Sequence, residues 1–183
     1  MHANENEYTR IEFRKKQKLV KQRRSLQGAK VKLGEVLQKE REARGLAAAQ
    51  VSASLGIPEN EYRALEQGTS GAEKWGPLLA NIATYLQVPV SRLISESGKA
   101  VDAIQGQCGA RISTQREQRR QSSESVASRL EIPMDEYLAI EAGHSPIEKW
   151  GPLLLRFAEI VEQPVFDLLY PCGIAIEKLE SYP

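Results

Sequence analysis

The chain has 183 residues, 41% of them hydrophobic and 27% charged, and a net charge of +1. That suits one medium domain or two small ones, each with a real core. No apolar run approaches the roughly 18 residues of a membrane span, and the opening "MHANENEYTR" lacks the apolar stretch of a signal peptide. Two cysteines, Cys108 and Cys172, make neither a disulfide framework nor a metal knuckle. The expectation is a cytoplasmic, reducing setting in which both thiols are small buried hydrophobes.

The small net charge hides an asymmetry. Residues 1–32 carry ten Lys/Arg against three acids, a net of +7, and the remainder carries 15 against 21, a net of −6. The first predicted element is therefore a basic arm over residues 1–30. Its core, "FRKKQKLVKQRR" from Phe13 to Arg24, is rich in helix formers and free of Gly and Pro. Arg14, Lys15, Lys16, Lys18, Lys21, Arg23 and Arg24 would grip phosphates if the arm is a handle for a polyanion. The other reading is a solvated tail.

The next predicted elements are short helices. Leu33, Val36 and Leu37 recur at helical spacing between Val31 and Ala43, and Gly45 ends the run. A helix from about Ala48 to Leu55 is stopped by Gly56. Pro58 opens a third, "ENEYRALEQ", ended by Gly68. "GPLLANIATYL" reads as a fourth, with Pro77 in its first turn, and Pro89 opens a fifth, "VSRLI".

The same order then repeats at a fixed offset. "EKWGPLLANIATYLQVPV" begins at Glu73 and "EKWGPLLLRFAEIVEQPV" at Glu148, 75 positions later. The offset pairs Ile57-Pro58 with Ile132-Pro133, Glu61-Tyr62 with Glu136-Tyr137, and Gly68 with Gly143. Between Leu55 and Leu93 about half the aligned pairs are identical. A period of this length exceeds the roughly 20–50 residues of solenoid units, so each copy is expected to be a small domain. The expected boundaries are arm 1–30, first domain 31–96, linker 97–105, second domain 106–173 and tail 174–183.

The pattern "RxxxGLxxxxVxxxLGI", then "YxxLExG", then an apolar helix-loop-helix ending in "VPVSRL" resembles the phage-repressor (Cro/C1-type, XRE) helix-turn-helix family. The resemblance covers both copies, roughly three quarters of the chain. It implies an all-α fold of two tandem five-helix, lambda-repressor-like helix-turn-helix domains behind the basic arm. It also implies structural pairs of Arg41 with Glu66 and of Arg116 with Glu141, each pinning the first helix to the third. Trp75 and Trp150 fall where the family places a large apolar core residue. Lys74 and Lys149, just before the fourth helix, occupy positions that grip phosphate in the family, or else are solvated surface lysines.

The resemblance makes the third helix the one that enters the major groove. Its base-facing positions are Glu59, Asn60 and Arg63 in the first copy, and Met134, Asp135 and Leu138 in the second. Asn can read adenine and Arg guanine, and Glu can accept from a cytosine amino group, whereas Glu59 and Glu61 would also face phosphates. Met134 and Leu138 look more like a protein-contact surface. At the start of the second helix, the family's Ser/Thr cap and its glutamine are replaced by Ala47 and Ala48. The second copy has a cap in Ser122 and offers Ser123 toward the backbone phosphates.

Enzyme chemistry has no visible seat. The two histidines, His2 and His144, stand alone, and there is no Gly-rich phosphate loop or nucleophile elbow. No cofactor or metal is expected. The expected function is a bacterial or phage-type, sequence-specific transcription regulator that binds double-stranded DNA, its two domains spanning half-sites about 34–36 Å apart. The alternative is a protein-interaction module, anti-activator or antitoxin-like, on a scaffold that has lost base reading. In either case the second domain is a candidate surface for a protein partner or self-association.

Overall fold

Leu33 and Leu37 stand one helical turn apart and are both buried, which is the periodicity that makes α1 (Leu33–Ala43) an amphipathic helix. This computed structural model describes residues 31–172. The expected phosphate-gripping residues Arg14, Lys15, Lys16, Lys18, Lys21, Arg23 and Arg24, and the tail, lie outside the described residues.

After α1 the chain forms α2 (Ala48–Leu55), α3 (Glu59–Glu66), α4 (Ala72–Leu86) and α5 (Val90–Ile94), then a 3-10 turn at Ala100–Asp102. The second copy gives α6 (Cys108–Gln118), α7 (Ser123–Leu130), α8 (Met134–Glu141), α9 (Ile147–Ile160) and α10 (Val165–Leu169), ending in a 3-10 turn at Tyr170–Cys172. The fold is all-α, with no strand among the described residues. None of these helices is long and apolar enough to cross a membrane. Both thiols are buried.

Local chemistry explains most boundaries. Gly56 follows α2 at φ 70°, a left-handed position that glycine enters without steric cost. At the other end of α2, Ala47 offers no side-chain acceptor, but Gln50 accepts from the Ala47 N–H at 2.8 Å, half of a capping box. The fourth helix differs from its sequence reading. It begins at Ala72, and Pro77 sits inside it rather than in the first turn. Pro77 has no N–H to return to the carbonyl of Glu73, a defect α9 repeats at Pro152.

Among the described residues, those from 32 to 172 form one compact unit, and buried residues of both copies belong to one core. α4 packs against α9, its own counterpart. α2 packs on α9 while α7 packs on α4, and α5 meets α6 while α10 meets α1. Each of these contacts between the copies is thus answered by its equivalent 75 positions away. This is the isologous pattern of a two-fold homodimer, closed inside a single chain.

The helix crossing shows the same reciprocity atom by atom. A Cβ on Gly76 would meet Leu33, Leu169 and Leu154, and one on Gly151 would meet Cys108, Ile94 and Leu79, the same three positions shifted by 75. Both glycines are there because α4 and α9 approach closely. Tyr62 of the first copy stacks on Phe157 of the second with ring centroids 6.3 Å apart. The segment between the copies is held down as well. Ala100 is buried and donates its N–H to Glu159 at 2.7 Å, and Asp102 accepts from both the N–H and hydroxyl of Ser97.

Candidate functional site

The repeated phrase "EKWG" builds the junction between the copies. Its glutamate caps the first helix. Glu73 accepts from the N–H groups of Leu33 at 3.0 Å and Gly34 at 2.6 Å, and Glu148 from those of Cys108 at 3.1 Å and Gly109 at 2.7 Å. A carboxylate at a helix N-terminus satisfies free donors and complements the dipole. The lysine crosses to the other copy. Lys74 Nζ lies 2.8 Å from Glu136 on α8, and Lys149 Nζ lies 2.5 Å from Glu61 on α3. Each ammonium also lies over its neighbouring tryptophan, 4.5 Å from the Trp75 ring and 4.7 Å from the Trp150 ring.

Lys74 and Lys149 are therefore neither bare surface lysines nor uncommitted phosphate ligands. They nevertheless remain 59% and 48% exposed as side chains. Trp150 is buried and lies against Gly71 of the first copy, while Trp75 is half-buried beside the core. Through these pairs the opening of α4 meets α8 and the opening of α9 meets α3.

The two expected Arg–Glu pairs both form. Arg41 donates to Glu66 at 2.5 and 3.1 Å, and Arg116 to Glu141 at 2.6 and 3.1 Å. All four side chains are 10–13% exposed. The third donor of each arginine holds the carbonyl of Leu46 or Gln121, just before the second helix. Hydrogen bonding to Glu66 and Glu141 raises the arginine pKa values. Tyr62 and Tyr137 donate to the same carboxylates at 2.7 and 2.9 Å, and burial pushes their phenols well up.

The expected base-facing residues do not all present free groups. Arg63 is exposed but donates twice to Glu59, at 2.9 and 2.5 Å. Asn60 and Asp135 are exposed. Leu138 is 48% exposed, a large apolar side chain facing outward. Met134 departs from the sequence reading: it is half-buried and packs against the core, so it does not form a solvent-facing pair with Leu138. Ser122 caps α7, accepting from the Ser125 N–H at 3.1 Å, and Ser123 turns its hydroxyl to Glu141 at 3.3 Å. Glu61, expected to confront phosphates, is instead neutralised by Lys149.

Several residues at the junction escaped sequence reasoning. Arg156 of α9 donates to the Leu55 carbonyl at the end of α2, at 3.1 Å. Tyr85 of α4 meets Gln121 and Ser125 beside α7, at 3.0 and 3.1 Å. Arg119 reaches the Gln87 carbonyl at 3.3 Å. Arg156 and Tyr85 align with Asn81 and Ile160 at the 75-residue offset, so the repeat carried no signal for them; for the Lys–Glu joints the signal was the joint recurrence of Glu61/Glu136 with Lys74/Lys149 at one offset. Among the described residues no group of three His, Cys, Asp or Glu could hold a metal ion. No family model, curated protein or solved structure matches the chain.

Proposed function

We propose that the chain is a sequence-specific, DNA-binding transcription regulator built from two Cro/C1-like helix-turn-helix copies, with the basic arm supplying most of the phosphate affinity. The observation that carries this reading is that the lysines opening α4 and α9 lie half-exposed against the third helices, Lys74 on α8 and Lys149 on α3. α2, the left-handed Gly56 and α3 make one helix-turn-helix, and α7, Glu131 at φ 57° and α8 make the other. Exposed Asn60 lies on α3 next in sequence to Glu61, which holds the half-exposed Lys149, and the exposed Arg63 would have to leave Glu59 to meet a base.

Exchange of the lysine pairs onto DNA sets two magnitudes against each other. The ammonium groups are half-exposed, but the Glu136 and Glu61 Oε1 atoms they meet are buried with no other hydrogen-bond partner, so leaving them costs more than the about 0–1 kcal/mol of an exposed pair. Charge-assisted bonds to phosphate and counterion release are what would offset that cost. The body is net acidic, so the +7 of residues 1–32 must overcome its repulsion.

Fluorescence anisotropy with labelled duplex at two salt concentrations tests this. The full chain should bind with a log–log salt slope of about −5 if six phosphates are neutralised, and deletion of residues 1–30 should abolish most of the affinity. No binding at low salt would favour the second reading, a protein-interaction module. Leu138 supports that alternative, standing 48% exposed beside the acidic Asp135.

A further inference from the structure

The two-fold relation between the copies fails at several side chains that cross the junction. Tyr85 of α4 donates its hydroxyl to Gln121 at 3.0 Å and lies 3.1 Å from the Ser125 hydroxyl, and the Arg129 guanidinium sits over its ring at 5.7 Å. The equivalents of Tyr85, Gln121 and Ser125 are Ile160, Leu46 and Gln50. Ile160 has no polar side-chain atom, and Gln50 already accepts from the Ala47 N–H. The α4–α7 junction thus carries a hydrogen-bonded tyrosine that the α9–α2 junction lacks.

The α9–α2 junction carries a mark of its own. Arg156 donates to the Leu55 carbonyl at 3.1 Å, whereas its equivalent Asn81 is a shorter side chain whose Oδ1 is buried without a hydrogen-bond partner among the described residues. The core is unequal as well. Phe157 of α9 stacks on Tyr62 of the first copy at 6.3 Å between centroids, and its equivalent on α4 is the smaller Ile82, also fully buried. Since α4 packs against α9, the shared core holds one ring and one aliphatic side chain at this pair of positions.

We propose that the junction is keyed to unlike copies: a first copy accepts a second-copy fold, from its own chain or from another chain of this sequence, and neither copy accepts its own kind. Two first copies would set Tyr85 opposite Leu46 and Gln50 twice, and Ile82 in place of the Phe157 ring would leave unfilled volume beside each Tyr62. Two second copies would set Ile160 opposite Gln121 and Ser125 twice, and would place a Phe157 ring at both positions of a core sized for one. A cavity, an overfilled core and a stranded hydroxyl each destabilise, and penalties on the wrong pair are what make pairing specific. The chain is an internal heterodimer built on a homodimer plan. Pairing of this kind holds whether or not the body meets DNA.

A full chain with a protease recognition sequence inserted between Gln105 and Gly106, both exposed, tests this pairing. Cutting the folded chain there gives fragments of unequal mass, so the possible pairs separate in native mass measurement. After parting in urea and dilution, the unlike pair should exceed either like pair by about tenfold or more. A statistical mixture of like and unlike pairs would overturn the proposal. The uncut chain gives a second reading. Tyr85→Ile combined with Ile160→Tyr exchanges the two side chains at constant composition and should lower the urea midpoint. An unchanged midpoint would show the two junctions to be interchangeable and would overturn the proposal as well.

Discussion

Lys149 of the second copy closes on Glu61 of the first at 2.5 Å, and the relation is returned by Lys74 and Glu136 at 2.8 Å. A tandem repeat has here become a self-complementary pair within one chain. The residues that resemble phosphate ligands are the ones that join the halves. They remain solvent-accessible, so the joint and the proposed DNA contact draw on the same two ammonium groups.

The dual role makes Lys149→Ala informative. Loss of the pair leaves the buried Glu61 Oε1 without a partner and should lower unfolding free energy by about 1–3 kcal/mol, read by urea denaturation. Duplex affinity should fall at every sequence tested, and the salt slope should shrink by about 1. A large stability loss with unchanged affinity would place Lys149 in the scaffold only.

The repeat also contains its own control for backbone strain. Gly56 and Glu131 are equivalent residues that both end a helix in the left-handed region, at φ 70° and 57°. Glycine adopts that region freely, while other L-residues meet a steric cost of roughly 1–2 kcal/mol. Glu131→Gly should therefore stabilise by about 1 kcal/mol, and Gly56→Ala should destabilise by a similar amount. Opposite shifts in thermal midpoint would bear this out; shifts of one sign would not.

Cys108 is fully buried, and burial, reinforced by Glu148, pushes its thiol from an ordinary value near 9 up to about 12. The folded protein should resist iodoacetamide at pH 8.5, and alkylation should appear only in denaturant. The linkage has a definite sign. Between pH 9 and 12 the unfolded thiol ionises while the folded one stays protonated. Its contribution to stability is intact below pH 9 and is lost as pH rises through that window. Unfolding midpoints that rise with pH there would contradict the assignment.

Much of the helix order was readable because its cues are local. Leu33 and Leu37 share a face, Gly56 and Gly68 stop helices, and Pro58 and Pro89 open them. The start of α4 was misplaced because Gly76-Pro77 looks like a helix entrance, whereas the glycine serves the crossing with α9 and the helix already exists at Ala72. Met134 reads as exposed from its place on α8, yet packing against the core half-buries it. The Lys–Glu joints left only the joint recurrence of both residues at one offset as a signal. A lysine before a helix has the same local surroundings whether it meets water, phosphate or a carboxylate from 62 residues away, as Lys74 meets Glu136.

The central claim is that the two copies form one body, and hydrogen exchange on an Arg41→Ala variant tests it most directly. Removing Arg41 strands Glu66 beside the core and should cost about 3–5 kcal/mol. In a shared core that loss is felt by both copies. Amide protection should fall together in peptides around Tyr62 and in those around Tyr137 and Phe157, with a single urea transition. Loss of protection confined to the first copy, with α6 to α10 exchanging as in the parent chain, would contradict it.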